Sequence, residues 1–155
     1  MVWAMKSGDA NTTKILIGCN QNVCVADYWY FQIPLIKGAV YGSVESVRDS
    51  LERGHDLEYR GIFMITALHY AAWHGHLDVC RLLLDLGAKV DPVDICRGTP
   101  LHDAAQQGRL SVVKLLVERG ADVRLKNHFG QTASDVACSA RNRDVAEWLE
   151  SVRER

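Results

Sequence analysis

Apolar residues in this chain gather into short stripes that return every 33 positions. Leu77, Val79, Cys80, Leu82, Leu83 and Leu84 form one stripe, and Leu110, Val112, Val113, Leu115, Leu116 and Val117 form the next. Their spacing puts a broad apolar face on a short helix. A thinner stripe, Val44, Val47 and Leu51, comes before them, and Val145, Trp148 and Leu149 come after. Ahead of the first full stripe stands Thr66-Ala67-Leu68-His69-Tyr70-Ala71-Ala72, which returns as Thr99-Pro100-Leu101-His102-Asp103-Ala104-Ala105, and Thr132-Ala133 opens a third copy. Two glycine columns keep the same step, Gly42, Gly75 and Gly108 in one and Gly54, Gly87 and Gly120 in the other. The pattern predicts a helix, a turn, a second helix and a loop in each unit. Thr66 can cap the first helix, and Pro100 sits at the first helical position of the next unit, where a missing N–H costs little. Ala71 and Ala72 are small enough to let neighbouring first helices approach closely. Gly75 ends the first helix and Gly87 the second, and Ala88-Lys89-Val90-Asp91 leads out through an extended segment.

The period, the Thr-Pro-Leu-His start at 99–102 and the two short helices per unit resemble the ankyrin repeat. The resemblance covers nearly the whole chain. It implies an all-α ankyrin-repeat solenoid of stacked helix–turn–helix units with projecting β-turn fingers, a single domain over residues 1–155. The repeats fall at 1–26 (partial), 27–59, 60–92, 93–125 and 126–155. In the partial repeat, Gly8 precedes Gly42 by 34, Ala4 falls in the alanine column, Ile15-Leu16-Ile17 match Leu82-Leu83-Leu84, and Asn20 replaces the turn glycine. In the second, Pro34-Leu35 start the helix and Gly38-Ala39 replace the paired alanines. The last repeat departs at Ser134, Asp135 and Arg141, and its final helix carries Arg143, Asp144, Glu147, Glu150 and Arg153. A polar outer face is what a terminal repeat needs, so this unit reads as a C-terminal cap. At the other end Met1, Val2, Trp3 and Met5 are apolar where a cap should be polar. Either something docks there or the sequence is an excerpt of a longer array, and the second reading is favoured.

Composition narrows the partner classes. The 155 residues are 48% hydrophobic and 24% charged, enough for a sizeable core in a soluble body. Eighteen basic against 19 acidic residues leave a net charge of −1, with the signs mixed, so no nucleic-acid partner is expected. An uncharged run, Ile15 to Ala26, is 12 residues and contains Asn20, Gln21 and Asn22, too short and polar for membrane insertion. The N-terminus lacks the apolar core and cleavage site of a secretory signal. Cys19, Cys24, Cys80, Cys96 and Cys138 are odd in number and lack C-x-x-C spacing, which suits a reducing cytoplasmic or nuclear compartment. A monomer is expected.

Candidate chemistry is sparse. His69, His74, His76 and Cys80 are residue types that bind zinc, but the repeat frame explains them as cap, turn and core positions, so no metal and no cofactor are expected. Ser134-Asp135 beside His128, or Cys138 near Asp135, could supply parts of a catalytic group, yet no phosphate loop, H-E-x-x-H or G-x-S-x-G motif is present. No enzyme activity is expected.

The resemblance implies contact residues at the turn tips and on the concave first-helix face. Carried over by position, these are Trp29, Tyr30, Gln32, Val40 and Tyr41; Ile62, Phe63, Ile65, Trp73 and His74; Ile95, Cys96, Gln106 and Gln107; and His128, Phe129 and Gln131. Tyr28-Trp29-Tyr30-Phe31 and Ile62-Phe63-Met64-Ile65 place apolar groups where turns are usually polar. Such rings either brace neighbouring units or form a binding patch, and the expected exposure of Trp73 favours binding. The leading expectation is a non-catalytic interaction module or adaptor for a protein partner. The alternatives are an inhibitor similar to the small cyclin-dependent kinase inhibitors or a regulatory fragment of a larger ankyrin-repeat protein. The first is suggested by Leu101-His102-Asp103-Ala104-Ala105 and Thr132-Ala133-Ser134-Asp135-Val136-Ala137. The inhibitors have a collapsed early helix, whereas Pro34 to Tyr41 reads here as merely weak. The start, Val2 to Asp9, is also similar to that of myotrophin-like regulators.

Overall fold

The computed structural model describes residues 34–61 and 63–153. The expectations for the partial first repeat, for Trp29, Tyr30 and Gln32, and for Ile62 lie outside the described residues. Among those described there are eight helices and no strand. They are α1 (Pro34–Tyr41), α2 (Val44–Glu52), α3 (Ala67–His74), α4 (Leu77–Asp85), α5 (Pro100–Gln106), α6 (Leu110–Glu118), α7 (Ala133–Ser139) and α8 (Arg143–Arg153). Consecutive pairs form four hairpins, and each hairpin packs on the next to give the expected all-helical solenoid.

Each first helix from α3 onward begins at its threonine. The Thr66 N–H and hydroxyl lie 3.2 and 2.9 Å from Nδ1 of His69, and Thr99 stands at 3.3 and 2.9 Å from Nδ1 of His102. In α7, Asp135 replaces the histidine: Oδ2 accepts from the Thr132 N–H at 2.9 Å and from its hydroxyl at 2.8 Å. Those bonds hold the Asp135 carboxyl below its usual pKa. Each cap satisfies backbone donors that the first turn leaves free.

The first helices end in a left-handed residue. Gly42, Gly75 and Gly108 have φ of 72, 81 and 67°, and Arg141, in the same column, keeps φ at 64°. Glycine is needed twice over at the interior positions. A Cβ on Gly42, Gly75 or Gly108 would come within 2.5 Å of His76 Nδ1, 2.7 Å of Arg109 Cδ or 2.8 Å of Asn142 Oδ1. Those three side chains share one position of the repeat, and each reaches back to the open carbonyls of the preceding first helix. His76 Nε2 lies 2.8 Å from the Val40 oxygen, and Arg109 Nε donates to Trp73 at 3.4 Å. Asn142 Nδ2 donates to Ala105 and Gln106 at 3.0 and 2.8 Å. Arg141 has no described unit stacked beyond it, so it tolerates a Cβ but retains the backbone strain. Arg141→Gly is therefore expected to raise stability by about 1 kcal/mol, the left-handed penalty less the added freedom of the unfolded chain. A higher urea midpoint supports this, and a lower one would show that the arginine side chain contributes more than its backbone costs.

The core follows the repeat. Leu83, Leu116 and Leu149 occupy equivalent positions and are buried. Ser50 holds the same position in α2, buried, with a hydroxyl that lacks a partner among the described residues. Where first helices meet, Ala39, Ala71, Ala72, Ala104 and Ala105 are fully buried. A Cβ on Gly38 would lie 2.6 Å from Val47 Cγ2, so that glycine keeps α1 and α2 close. These small residues let the first helices pack more tightly on one another than the leucine-rich second helices do.

Candidate recognition surface

Between hairpins the chain projects as fingers. Each tip is a four-residue turn closed by an N–H to carbonyl bond, from Met64 to Gly61 at 2.9 Å, from Arg97 to Asp94 at 3.0 Å and from Gly130 to Asn127 at 3.0 Å. A second bond closes each base: Gly61 to Ile65, Asp94 to Gly98 and Asn127 to Gln131. Asp94 Oδ1 also accepts from the N–H groups of Cys96 and Gly98 at 2.8 and 2.7 Å, and Asn127 Oδ1 accepts from Phe129 and Gln131 at 3.0 Å each. Such side-chain bonds stiffen a turn. Gly61 stands at the equivalent position without a side chain to make them.

The fingers are tied to each other and to the helices. The Ile95 N–H donates to the Phe63 carbonyl at 3.0 Å, and the His128 N–H to the Cys96 carbonyl at 2.7 Å. Because Nδ1 of each cap histidine faces a backbone donor, its proton resides on Nε2. That nitrogen points to the next finger, 3.4 Å from the Gly98 oxygen for His69 and 3.1 Å from the Gln131 oxygen for His102. Burial pushes the His69 pKa down to about 4 and lowers that of His102. Both rings are thus held neutral, as the geometry requires. Further out, Glu58 Oε1 accepts from the Lys89 N–H at 2.8 Å and Asp91 Oδ2 from the Asp122 N–H at 2.9 Å. Burial raises the carboxyls of Asp91 and Asp94, and raises Asp103 well above its usual value with help from the Asp94 charge.

On this scaffold the expected contact residues separate into two groups. Tyr41 at the end of α1 is 74% exposed, and at the tips Ile95 is 52% and Phe129 62% exposed. His128 is exposed, its ring edge-on to Phe129 with centroids 6.3 Å apart. Phe63, Ile65, Trp73, His74, Gln106 and Gln107 are half-buried, as are Val40, Cys96 and Gln131. Trp73 is therefore less open than its position in the repeat suggested. Met64, 41% exposed, and Arg97 were not among the expected contacts. Both have left-handed backbones, φ 59 and 57°, at the tip position where Gly130 has φ 75°. Counting back 33 and 66 residues from Gly130 would have found them.

The candidate chemical groups have structural employment. His69 and His102 are committed to caps. His74 and His76 stack at 5.9 Å, and His76 Nε2 faces the Val40 carbonyl. Burial raises the Cys80 thiol to about 12, so it is inert. The Ser134 hydroxyl donates to Glu150, and Asp135 is taken up by Thr132. Among the described residues no group of three or more His, Cys, Asp or Glu could hold a metal ion, and no helix is long and apolar enough to cross a membrane.

Comparison with known proteins agrees with this architecture. A family model described as "Ankyrin repeats (3 copies)" matches residues 1–94, and one described as "Ankyrin repeats (many copies)" matches residues 83–137. The chain is 47% identical over 53 residues to serine/threonine-protein kinase 12 of Arabidopsis thaliana, covering 34% of this chain and 12% of the kinase. It is 38% identical over 67 residues to palmitoyltransferase Hip14 of Drosophila melanogaster, covering 43% of this chain and 10% of that protein. It is also 34% identical over 61 residues to human ankyrin repeat domain-containing protein 39, covering 39% of this chain and 33% of that protein. The matched stretches thus span between a tenth and a third of these relatives' lengths.

Proposed function

Because this chain belongs to the ankyrin-repeat family, we propose that it is a protein-interaction module that grips a protein partner through its fingertips and the adjoining first-helix face, without catalysis of its own. One observation carries the reading: Tyr41, Met64, Ile95 and Phe129, large apolar side chains left in solvent, stand at finger tips or a first-helix end. The tips that bear three of them are fixed by hydrogen bonds within and between fingers. A surface held in its binding shape loses less entropy on association, and exposed aromatic anchors are typical hot spots. The kinase and the palmitoyltransferase share only a repeat segment with this chain, so their activities are not carried over. Pro34–Tyr41 forms a full eight-residue helix, which supports the adaptor over a kinase inhibitor with a collapsed early helix. The reading includes a monomer in a reducing cytoplasmic or nuclear compartment, where Cys80 and Cys138 stay free thiols, as they are in this structure.

The test is crosslinking capture of the partner by the parent chain and by an Ile95→Ala/Phe129→Ala variant. Capture is expected to fall at least roughly tenfold, the loss of one to two hot spots, with an unchanged urea midpoint because both side chains face solvent. Full capture by the folded variant contradicts the proposal.

A further inference from the structure

Resting on that reading, we infer that the partner is an acidic peptide segment whose carboxylates seat in a cationic cleft beside the last finger. Arg124, Lys126, Thr132 and Arg153 line an open cleft of about 370 Å³. Arg124 and Lys126 project into solvent from the segment between α6 and the last finger, while Val123 and Leu125 beside them are half-buried. Among the described residues neither cation has an ion-pair partner. Two acidic groups lie close, and both are engaged. Asp135 is held by Thr132, and Glu150, whose Oε1 is 3.9 Å from Arg153 Nη1, accepts from Ser134. Among the described residues three cations therefore face two carboxylates, with Asp135 within the field of Arg153 and Lys126, and the local balance is one positive charge in a chain whose overall charge is −1.

The repeat frame says what belongs in the cleft. Position 124 is held by Glu58 and Asp91 in the two preceding units, where the carboxylate accepts a backbone N–H of the following unit. Position 126 is held by Arg60 two units earlier, where Nη1 donates to the Val93 carbonyl of the following unit at 3.4 Å. The earlier of these units thus offers its neighbour an acceptor and a donor, and the later one, with Val93 at the second position, an acceptor. The last hairpin offers two cationic donors, and the acceptor has been replaced by a charge of opposite sign. A segment rich in anionic acceptors matches that face.

An NMR amide titration of the full chain with acetylated and amidated hexaglutamate tests this. The expected result is saturable shifts at Arg124, Lys126, Thr132 and Arg153, weakened on going from about 50 mM to about 500 mM salt and absent with hexalysine. Arg124→Glu/Lys126→Glu, and the milder Arg124→Ala/Lys126→Ala, are each expected to lower the affinity roughly tenfold or more, with the fold checked by the urea midpoint. Scattered shifts, equal response to hexalysine, saturation as tight by inorganic phosphate, or indifference to the substitutions overturns the inference. The fingertip variant separates the failures: lost capture there with no hexaglutamate binding here keeps the finger surface and removes the acidic partner.

Discussion

Leu116→Ala is expected to lower the unfolding free energy by about 2–5 kcal/mol. Leu116 is fully buried in α6, and its hairpin packs on α3–α4 to one side and α7–α8 to the other. In a stack of hairpins neither neighbour buries its own apolar face alone, so the cavity weakens both interfaces at once. With a urea slope of about 2 kcal/mol/M, the midpoint should fall by roughly 1–2.5 M. The equivalent position in α2 provides the contrast. Ser50→Ala removes a buried hydroxyl that has no partner among the described residues, and its midpoint should hold or rise. If Leu116→Ala unfolds at the parent's midpoint, the shared spine is wrong.

Acidification should produce a loss of similar size. His69 is neutral in the fold and its pKa is pushed down to about 4 by burial, against 6.5 for an unperturbed histidine. Between those values the unfolded chain binds a proton that the folded chain refuses. Its contribution is complete above pH 6.5, is lost as the pH falls toward 4, and amounts to about 3 kcal/mol. His102 is lowered in the same direction and adds to the loss. Asp103 opposes it, since a carboxyl raised by burial takes up its proton earlier in the fold than in the open chain. The slope of the urea midpoint against pH therefore reports a difference, and ring titration by NMR isolates the histidine. The His69 ring should stay neutral until near pH 4. Titration at about 6.5 in the folded protein would refute its role as the neutral link between helix and finger.

Much of this was legible because it recurs. The 33-residue frame fixed α3 to α6, the threonine caps, the glycine turns and the structural reading of His69 and His102. It also marked Ser134 and Asp135 as departures from the repeat, and Asp135 takes the capping place that histidine holds in the two preceding units. Other features stayed hidden where one role is filled by unlike residues. His76, Arg109 and Asn142 all close the end of the preceding helix, but an imidazole, a guanidinium and an amide share no letter pattern. Met64 and Arg97 adopt the left-handed state without being glycine, so neither was counted among the tip contacts. Trp73 looked open from its place in the repeat, and only the structure shows it half-buried. Charge reversal at Arg124 was visible as a letter, but its meaning depends on knowing which backbone group Glu58 and Asp91 hold.

The central claim is that the stacked hairpins hold the fingertips in one hydrogen-bonded row, and amide hydrogen exchange at Ile95 and His128 tests it most directly. Both residues are exposed at turn tips, yet their N–H groups are bonded to the preceding finger. The account predicts exchange slowed roughly a hundredfold or more relative to an unstructured peptide. Exchange of both amides at the unstructured rate, in a chain whose helical amides remain protected, would contradict it.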